Sequence, residues 1–330
     1  MHNPPRTTFF NAPATNATPA TNVAPTPGAL PIVGVPFDAL STERGGSAEA
    51  PETLRRASQH VGRYRVSTGC VIDWAQRCVD LGDLPVNRFD PVSGFEPVRQ
   101  VVERCLADDG PILLVGGDHS LTYPAVTAAV SHHRPLRLVQ IDAHHDATDP
   151  ARWHCRYNHG TFIRNLIDDG CIAGRDVFQI GIRDFQWHES GAAFVAEHGV
   201  NVLPMHEIDR VGFAGILEQL RATPEQPTYV TFDIDSVDPA HAPGTGEHMP
   251  GGFSAREALA LVRELFDGRL NIVAADLVEV VPSLDATGRT AALASQLLAL
   301  MADGLARQVR HADASTATTV IAQAHGKETP

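Results

Sequence analysis

Short apolar runs recur along the chain, separated by stretches with the period of an amphipathic helix. The runs are 31–35 (PIVGV), 79–82, 111–115 (PILLV), 137–141, 177–182 (VFQIGI), 201–204, 228–232 (TYVTF) and 271–275 (NIVAA). They are rich in β-branched residues and lack polar alternation, as expected of strands covered on both faces. Helical patterns fall between them, over 94–108, 120–132, 190–199, 213–222, 254–267 and 287–307. This alternation predicts an α/β fold, a three-layer sandwich around a mostly parallel eight-stranded sheet. One domain is expected over 29–307. Residues 1–28, rich in Asn, Pro, Ala and Thr, read as an arm that is flexible or orders only against a neighbouring subunit. Residues 308–330 read as a polar tail.

Ligands of open α/β sheets bind beyond the carboxyl ends of the strands. Three of these ends are dense in His and Asp: Gly116-Gly117-Asp118-His119-Ser120, Asp142-Ala143-His144-His145-Asp146, and Asp233-Ile234-Asp235-Ser236-Val237-Asp238. In an extended chain the side chains at i, i+2 and i+4 share a face. That spacing gathers Asp142, His144 and Asp146, and likewise Asp233 and Asp235. Carboxylates converging at the end of an apolar sheet repel unless a cation neutralises them. Two His and four Asp suit a pair of divalent ions. An oxygen-rich, thiolate-free set points to Mn²⁺, with Co²⁺ or Ni²⁺ as alternatives and structural Zn²⁺ disfavoured. Each motif alone is equally well a turn or a helix cap. It is their joint occurrence at three strand ends that argues for metal.

The net charge of −13 comes without a Lys/Arg cluster, which argues against a nucleic-acid partner and mildly favours a cationic ligand. The cysteines, Cys70, Cys78, Cys105, Cys155 and Cys171, form no CxxC pattern, so a reducing, cytoplasmic setting is expected. No apolar run is long enough to span a bilayer, and no signal peptide is evident, so no membrane partner is expected.

At these motifs the chain resembles the ureohydrolases: arginase, agmatinase, guanidinobutyrase and relatives. GGDHS is met by 116–120 and DAHxD by 142–146. The long motif is met by Asp233 to Gly252 (DIDSVDPAHAPGTGEHMPGG), and the late VEV element by Val278-Glu279-Val280. The resemblance covers roughly 30–307 and implies an arginase/deacetylase-like fold with two Mn²⁺ per subunit. One ion would be held by His119, Asp142, Asp146 and Asp233. The other would be held by Asp142, His144, Asp233 and Asp235. His159, in the Asn158-His159-Gly160-Thr161 segment, would transfer a proton, and Glu279 would contact the guanidinium. Asp146 would aim the attacking water. The implied reaction cleaves a small cationic guanidino substrate into urea and an amine, in a homo-oligomer, trimer or hexamer. The APGTG and PGG stretches look agmatinase-like.

The loop 147–158 and residues 184–190 are expected to read the substrate tail. An amine tail suits Asp149, Asp184, Glu189 or Trp153; a carboxylate tail suits Arg152 or Arg156. Trp153, Arg156 and Asn158 are therefore candidate substrate-binding residues beside His159 and Glu279. Agmatine is the first candidate substrate, guanidinobutyrate the second and arginine the third. Two features depart from the family pattern. His145 occupies a position that is normally small and should face away from the metals. The segment Ser41–Ser47 replaces a Gly/Arg/Pro-rich stretch. The competing readings are a one-zinc amide hydrolase of deacetylase type and an inactive metal-binding subunit. For Glu279 a buried ion pair with Arg183 or Arg256 is the structural alternative.

Overall fold

A computed structural model of the chain describes residues 7–15 and 28–309, apart from Arg88, Asp109 and Pro224. Ten strands are assigned: β1 (Leu30–Val35), β2 (Tyr64–Arg65), β3 (Cys70–Val71), β4 (Cys78–Asp83), β5 (Ile112–Gly116), β6 (Arg137–Ile141), β7 (Val177–Ile182), β8 (Asn201–Pro204), β9 (Thr228–Asp233) and β10 (Ile272–Val278). β2 and β3 form a separate antiparallel hairpin; the other eight form one sheet in the order β4-β1-β5-β10-β9-β6-β7-β8. Every pairing in that sheet is parallel. The eight apolar runs of the sequence are these eight strands, with ends moved by at most three residues.

The helices are α1 (Ala50–Ser58), α2 (Trp74–Arg77), α3 (Pro91–Ala107), α4 (Thr122–His132), α5 (Phe162–Asp168), α6 (Glu189–Glu197), α7 (Met205–Ala222), α8 (Ala255–Leu265) and α9 (Arg289–Ala306). Two apolar clusters fill the spaces above and below the sheet. One joins Leu54 of α1, Leu217 of α7, Leu261 of α8 and Leu297 of α9 to one face. The other joins Val101 of α3, Val126 of α4, Ile163 of α5 and Phe194 of α6 to the opposite face. The predicted three layers are thus present. α1 gave no apolar period because its inner face carries a charge. Arg55 is buried, held by Asp80 (Nε–Oδ2 2.8 Å) and Asp83 (Nη1–Oδ1 2.6 Å). Desolvation would lower its pKa, and the two carboxylates outweigh that and raise it. None of the helices among the described residues is long and apolar enough to cross a membrane.

The connections set where chemistry can occur. After β5 the chain skips two positions to lay down β6, β7 and β8 outward, then returns to insert β9 and β10 between β5 and β6. The centre of the sheet is therefore a switch point, where a crevice opens beyond the strand ends.

The N-terminal expectation needs correction over 7–15. Phe9 and Phe10 are buried against the chain's own core, and Phe10 stacks on Trp74 at 4.6 Å between ring centroids. The Phe9 amide donates to Asp80 (3.1 Å) and the Arg55 guanidinium lies over the Phe9 ring. Two adjacent aromatics in a polar segment were the overlooked anchor. The rest of the predicted arm, 1–6 and 16–27, lies outside the described residues, as does the tail from 310.

Candidate metal centre

Four neighbouring central strands, β5, β10, β9 and β6, deliver the candidate residues to one crevice. Three of the strand ends share one local device. The Asp118 carboxylate accepts the Ser120 amide (3.0 Å), Asp142 accepts the His144 amide (2.7 Å), and Asp233 accepts the Asp235 amide (2.8 Å). These are Asx turns, in which the side chain bonds to backbone two residues on. The strand-like alternation expected over 142–146 does not occur. β6 ends at Ile141, and it is turning, with Asp146 at φ 47°, that brings Asp142, His144 and Asp146 together.

His119, His144 and Asp235 converge. His119 Nδ1 lies 3.1 Å from Asp142 Oδ2, 3.0 Å from Asp146 Oδ2 and 3.1 Å from Asp233 Oδ2. His144 Nδ1 lies 3.0 Å from Asp235 Oδ2 and 3.6 Å from Asp142 Oδ1. Two groups able to hold an ion result, His119–Asp142–Asp146 and Asp142–His144–Asp235, with Asp142 common to both. Asp233 faces the first group through His119.

Three observations test the fit to divalent ions. His119 Nδ1 is buried with three carboxylate oxygens around it, yet makes no hydrogen bond to any of them. Spacings near 3 Å are those of adjacent donors about 2.1 Å from a common octahedral ion. The charges, finally, are unbalanced within the protein. Burial and the neighbouring Asp142 push Asp146 up to about 7. Burial, Asp235 and Asp142 raise Asp233 well above the carboxylate range. Burial would lower His119, but its three carboxylates hold it well above its ordinary value. Further side chains hold the candidate ligands from behind. His119 Nε2 meets the Thr231 hydroxyl at 2.7 Å, and Thr231 donates to Asp276 (2.5 Å), which also receives Thr122 and Tyr229. Such partners fix the tautomer and direction of a ligating His.

Above the cluster, Glu279 sits at φ 63°, its amide donating to Gly117 O (2.9 Å). Its Oε1 accepts the His119 amide (2.8 Å) and faces His159 Nδ1 (3.0 Å). No ion pair with Arg183 or Arg256 forms. Arg183 donates to the carbonyls of Gly181, Asp235 and Ser236. Burial would lower His159; Glu279 and then Glu247 outweigh it and raise the pKa to about 10. The Thr42 amide, donating to His159 Nε2 at 3.0 Å, opposes this by favouring the neutral ring.

The tail candidates separate cleanly. Trp153 and Arg152 line the pocket with His159, Glu279 and the metal cluster. Arg156 does not; it pairs with Asp169 at the surface. Asn158 does not either. Its side chain accepts the Gly160 amide (2.9 Å) and caps the turn that begins at His159. Asp149 caps its own turn, Asp184 pairs with His206, and Glu189 is exposed. His145 lines the pocket but belongs to neither metal group. Its Nδ1 meets Gln179 at 2.6 Å, in keeping with the expectation. Gln186, Trp187 and His188, from the segment 184–190, and Thr42, from the segment 41–47, also line the pocket; Thr245 and Glu247 line it too and were not anticipated. Glu247 stood in plain view inside the motif, at a position whose chemistry the pattern leaves open.

Residues 29–302 match the model of the arginase family. The chain is 36% identical over 268 residues to the mitochondrial agmatinase of Gallus gallus, covering 81% of this chain and 78% of that one. It is 37% identical over 289 residues to a guanidinopropionase of Pseudomonas aeruginosa, covering 85% and 90%. The solved proclavaminate amidinohydrolase of Streptomyces clavuligerus superposes with a TM-score of 0.82 at 33% identity, over 92% of this chain and 98% of that one. Coverage on that scale, joined to the two ion-holding groups at the centre of the sheet, leaves a single conclusion: the chain belongs to the arginase family.

Proposed function

We propose that the protein hydrolyses a linear guanidino compound to urea and an amine, with two Mn²⁺ ions held by His119, Asp142, His144, Asp146, Asp233 and Asp235. The observation that carries this reading is that His144, Asp146, Asp233 and Asp235 line one pocket together with His159 and Glu279. Such a pair of ions, when bound, supplies a water acidic enough to attack near neutral pH and neutralises developing charge. The chain's own residues do the rest. Glu279 offers two coplanar acceptors to the fork of a guanidinium. Asp146 would accept a hydrogen bond from the attacking water and aim it at the guanidine carbon. The C–N bond to the amine then breaks as His159, whose two carboxylate neighbours keep its proton available, protonates the leaving nitrogen; the two protons that the water gives up restore His159 and complete the ammonium product.

Agmatine is the first substrate candidate, in line with relatives named for it and with the net charge of −13. A carboxylate tail is the second reading, and one observation favours it. Arg152 lines the pocket, with its Nη1 3.4 Å from His188 Nδ1, its guanidinium 5.6 Å from the Trp153 ring, and no carboxylate partner among the described residues. Glu43 is the acidic counterpart lining the same pocket. Urea release in Mn²⁺ from agmatine, 4-guanidinobutanoate, 3-guanidinopropanoate and arginine tests both. Silence across the panel overturns the reaction. Arg152→Glu should shift preference toward agmatine if an acid is the substrate.

A further inference from the structure

Glu247 is a carboxylate of the pocket that is outside the proposed metal set and, beyond its pull on His159, has been given no contact with substrate. It lies in the loop after β9, largely buried, with its side chain 16% exposed toward the cavity. Its Oε2 is 3.2 Å from His144 Nε2, and its Oε1 is 3.6 Å from His159 Nε2. Glu279 faces the other ring nitrogen of His159 at 3.0 Å. Among the described residues no Lys or Arg lies within ion-pair distance of either glutamate.

We infer that Glu247 and Glu279 form a two-carboxylate clamp that holds the guanidinium by two of its edges. The inference rests on the guanidine-hydrolase reading and deepens it. Four aspartates balance two divalent ions, so the cluster itself is neutral once loaded. The two glutamates remain, both largely buried, and buried carboxylates without a cationic partner are costly. His159 carries at most one positive charge between them. One further planar cation completes the balance, and a guanidinium presents three edges of paired donors. Glu279 satisfies one edge. Glu247, across the same imidazole, is in reach of a second. Two edges share one nitrogen, so the grip needs one NH₂ and an N–H on each of the other two nitrogens; monosubstituted guanidines meet this, and guanidinium ion itself fills the clamp. Nε2 of His144, buried without a hydrogen-bond partner, marks the rival role for Glu247, that of orienting this imidazole.

The test uses the Mn²⁺-loaded protein and Glu247→Gln, which keeps size and removes charge. A charge-assisted hydrogen bond lost here should raise KM and the Kd for guanidinium chloride about 10- to 100-fold, with kcat changed far less. Metal content should remain that of the wild type. Calorimetric binding of guanidinium is read whether or not a substrate has been found, so it stands apart from the urea assay. Unchanged guanidinium affinity in Glu247→Gln overturns the clamp while leaving the hydrolase reading intact. Loss of metal with guanidinium affinity preserved in the metal-replete variant also overturns it and assigns Glu247 to His144. Glu247→Asp, which keeps charge and shortens reach, should bind with intermediate affinity. Equal turnover of an N,N-disubstituted guanidine, which keeps only one edge of paired donors, by the wild type likewise contradicts a two-edge grip.

Discussion

His159 meets conflicting demands within one ring. Glu279 and Glu247 draw a proton onto it, and the Thr42 amide favours its absence. A cation arriving between the glutamates weakens their pull, so the ring gives up its proton most readily when substrate is present. His159→Ala should therefore lower kcat by roughly 10²- to 10⁴-fold. Metal content, read by elemental analysis, should stay full; its loss would make His159 a ligand instead. The same pKa has a stability consequence in metal-free protein. The folded value, about 10, lies above the unfolded value of about 6.5. The extra stability is thus complete below pH 6.5 and lost as pH rises through about 10. Denaturant titrations of metal-free wild type should show that decline, and His159→Ala should flatten it.

The strand ends work as elements because nothing larger than hydrogen fits at certain glycines. A Cβ at Gly117 would stand 2.1 Å from the Phe37 carbonyl oxygen and 2.8 Å from that of Val35. A Cβ at Gly252 would stand 1.8 Å from Arg183 Nη2. Gly117 also accepts the Glu279 amide, so the turn after β5 fixes the left-handed backbone at Glu279. Gly117→Ala is expected to destabilise the fold by on the order of 3 kcal/mol and to displace Glu279. Urea denaturation measures the first effect, and guanidinium affinity the second. A wild-type midpoint would mean the turn yields more easily than its contacts imply. Gly116, Gly117 and Gly252 of the motifs are thus packing requirements that hold the chemistry at β5, β9 and β10 in register, whereas Gly251, with open space around it, is needed for its φ of 83°. Little of this was legible beforehand. Spacing grouped Asp142 with His144 and Asp146, but for a geometric reason, strand alternation, that the Asx turns replace.

At the scale of the molecule, the apolar core and the metal cluster pull in opposite directions. The inner strands of the sheet are fully covered, while its centre gathers four aspartates whose mutual repulsion burial intensifies. Chelation should lower the melting temperature, and Mn²⁺ should restore it in a concentration-dependent way. Each site contributes about 2.7 kcal/mol when free ion is at 100 times its Kd. A melting temperature indifferent to chelator would show that the carboxylates are accommodated without a cation.

By itself the sequence determined the layers and the eight strands of a mostly parallel sheet, and it pointed to six candidate residues for the cluster. These depend on local pattern: repeated runs of β-branched residues alternating with helical periods favour buried strands, and His and Asp recurring at three strand ends favour the crevice beyond. It also carried Phe9 and Phe10, whose weight against a polar background was underread. Tertiary structure alone decided the pocket's outer wall. Arg156 and Asn158 lie within a few residues of Arg152 and His159, yet one pair faces the surface or a cap and the other the cavity. Glu247 reaches His144 and His159 across about a hundred residues of chain. No periodicity encodes such meetings; the order in which β9 and β10 insert between β5 and β6 does.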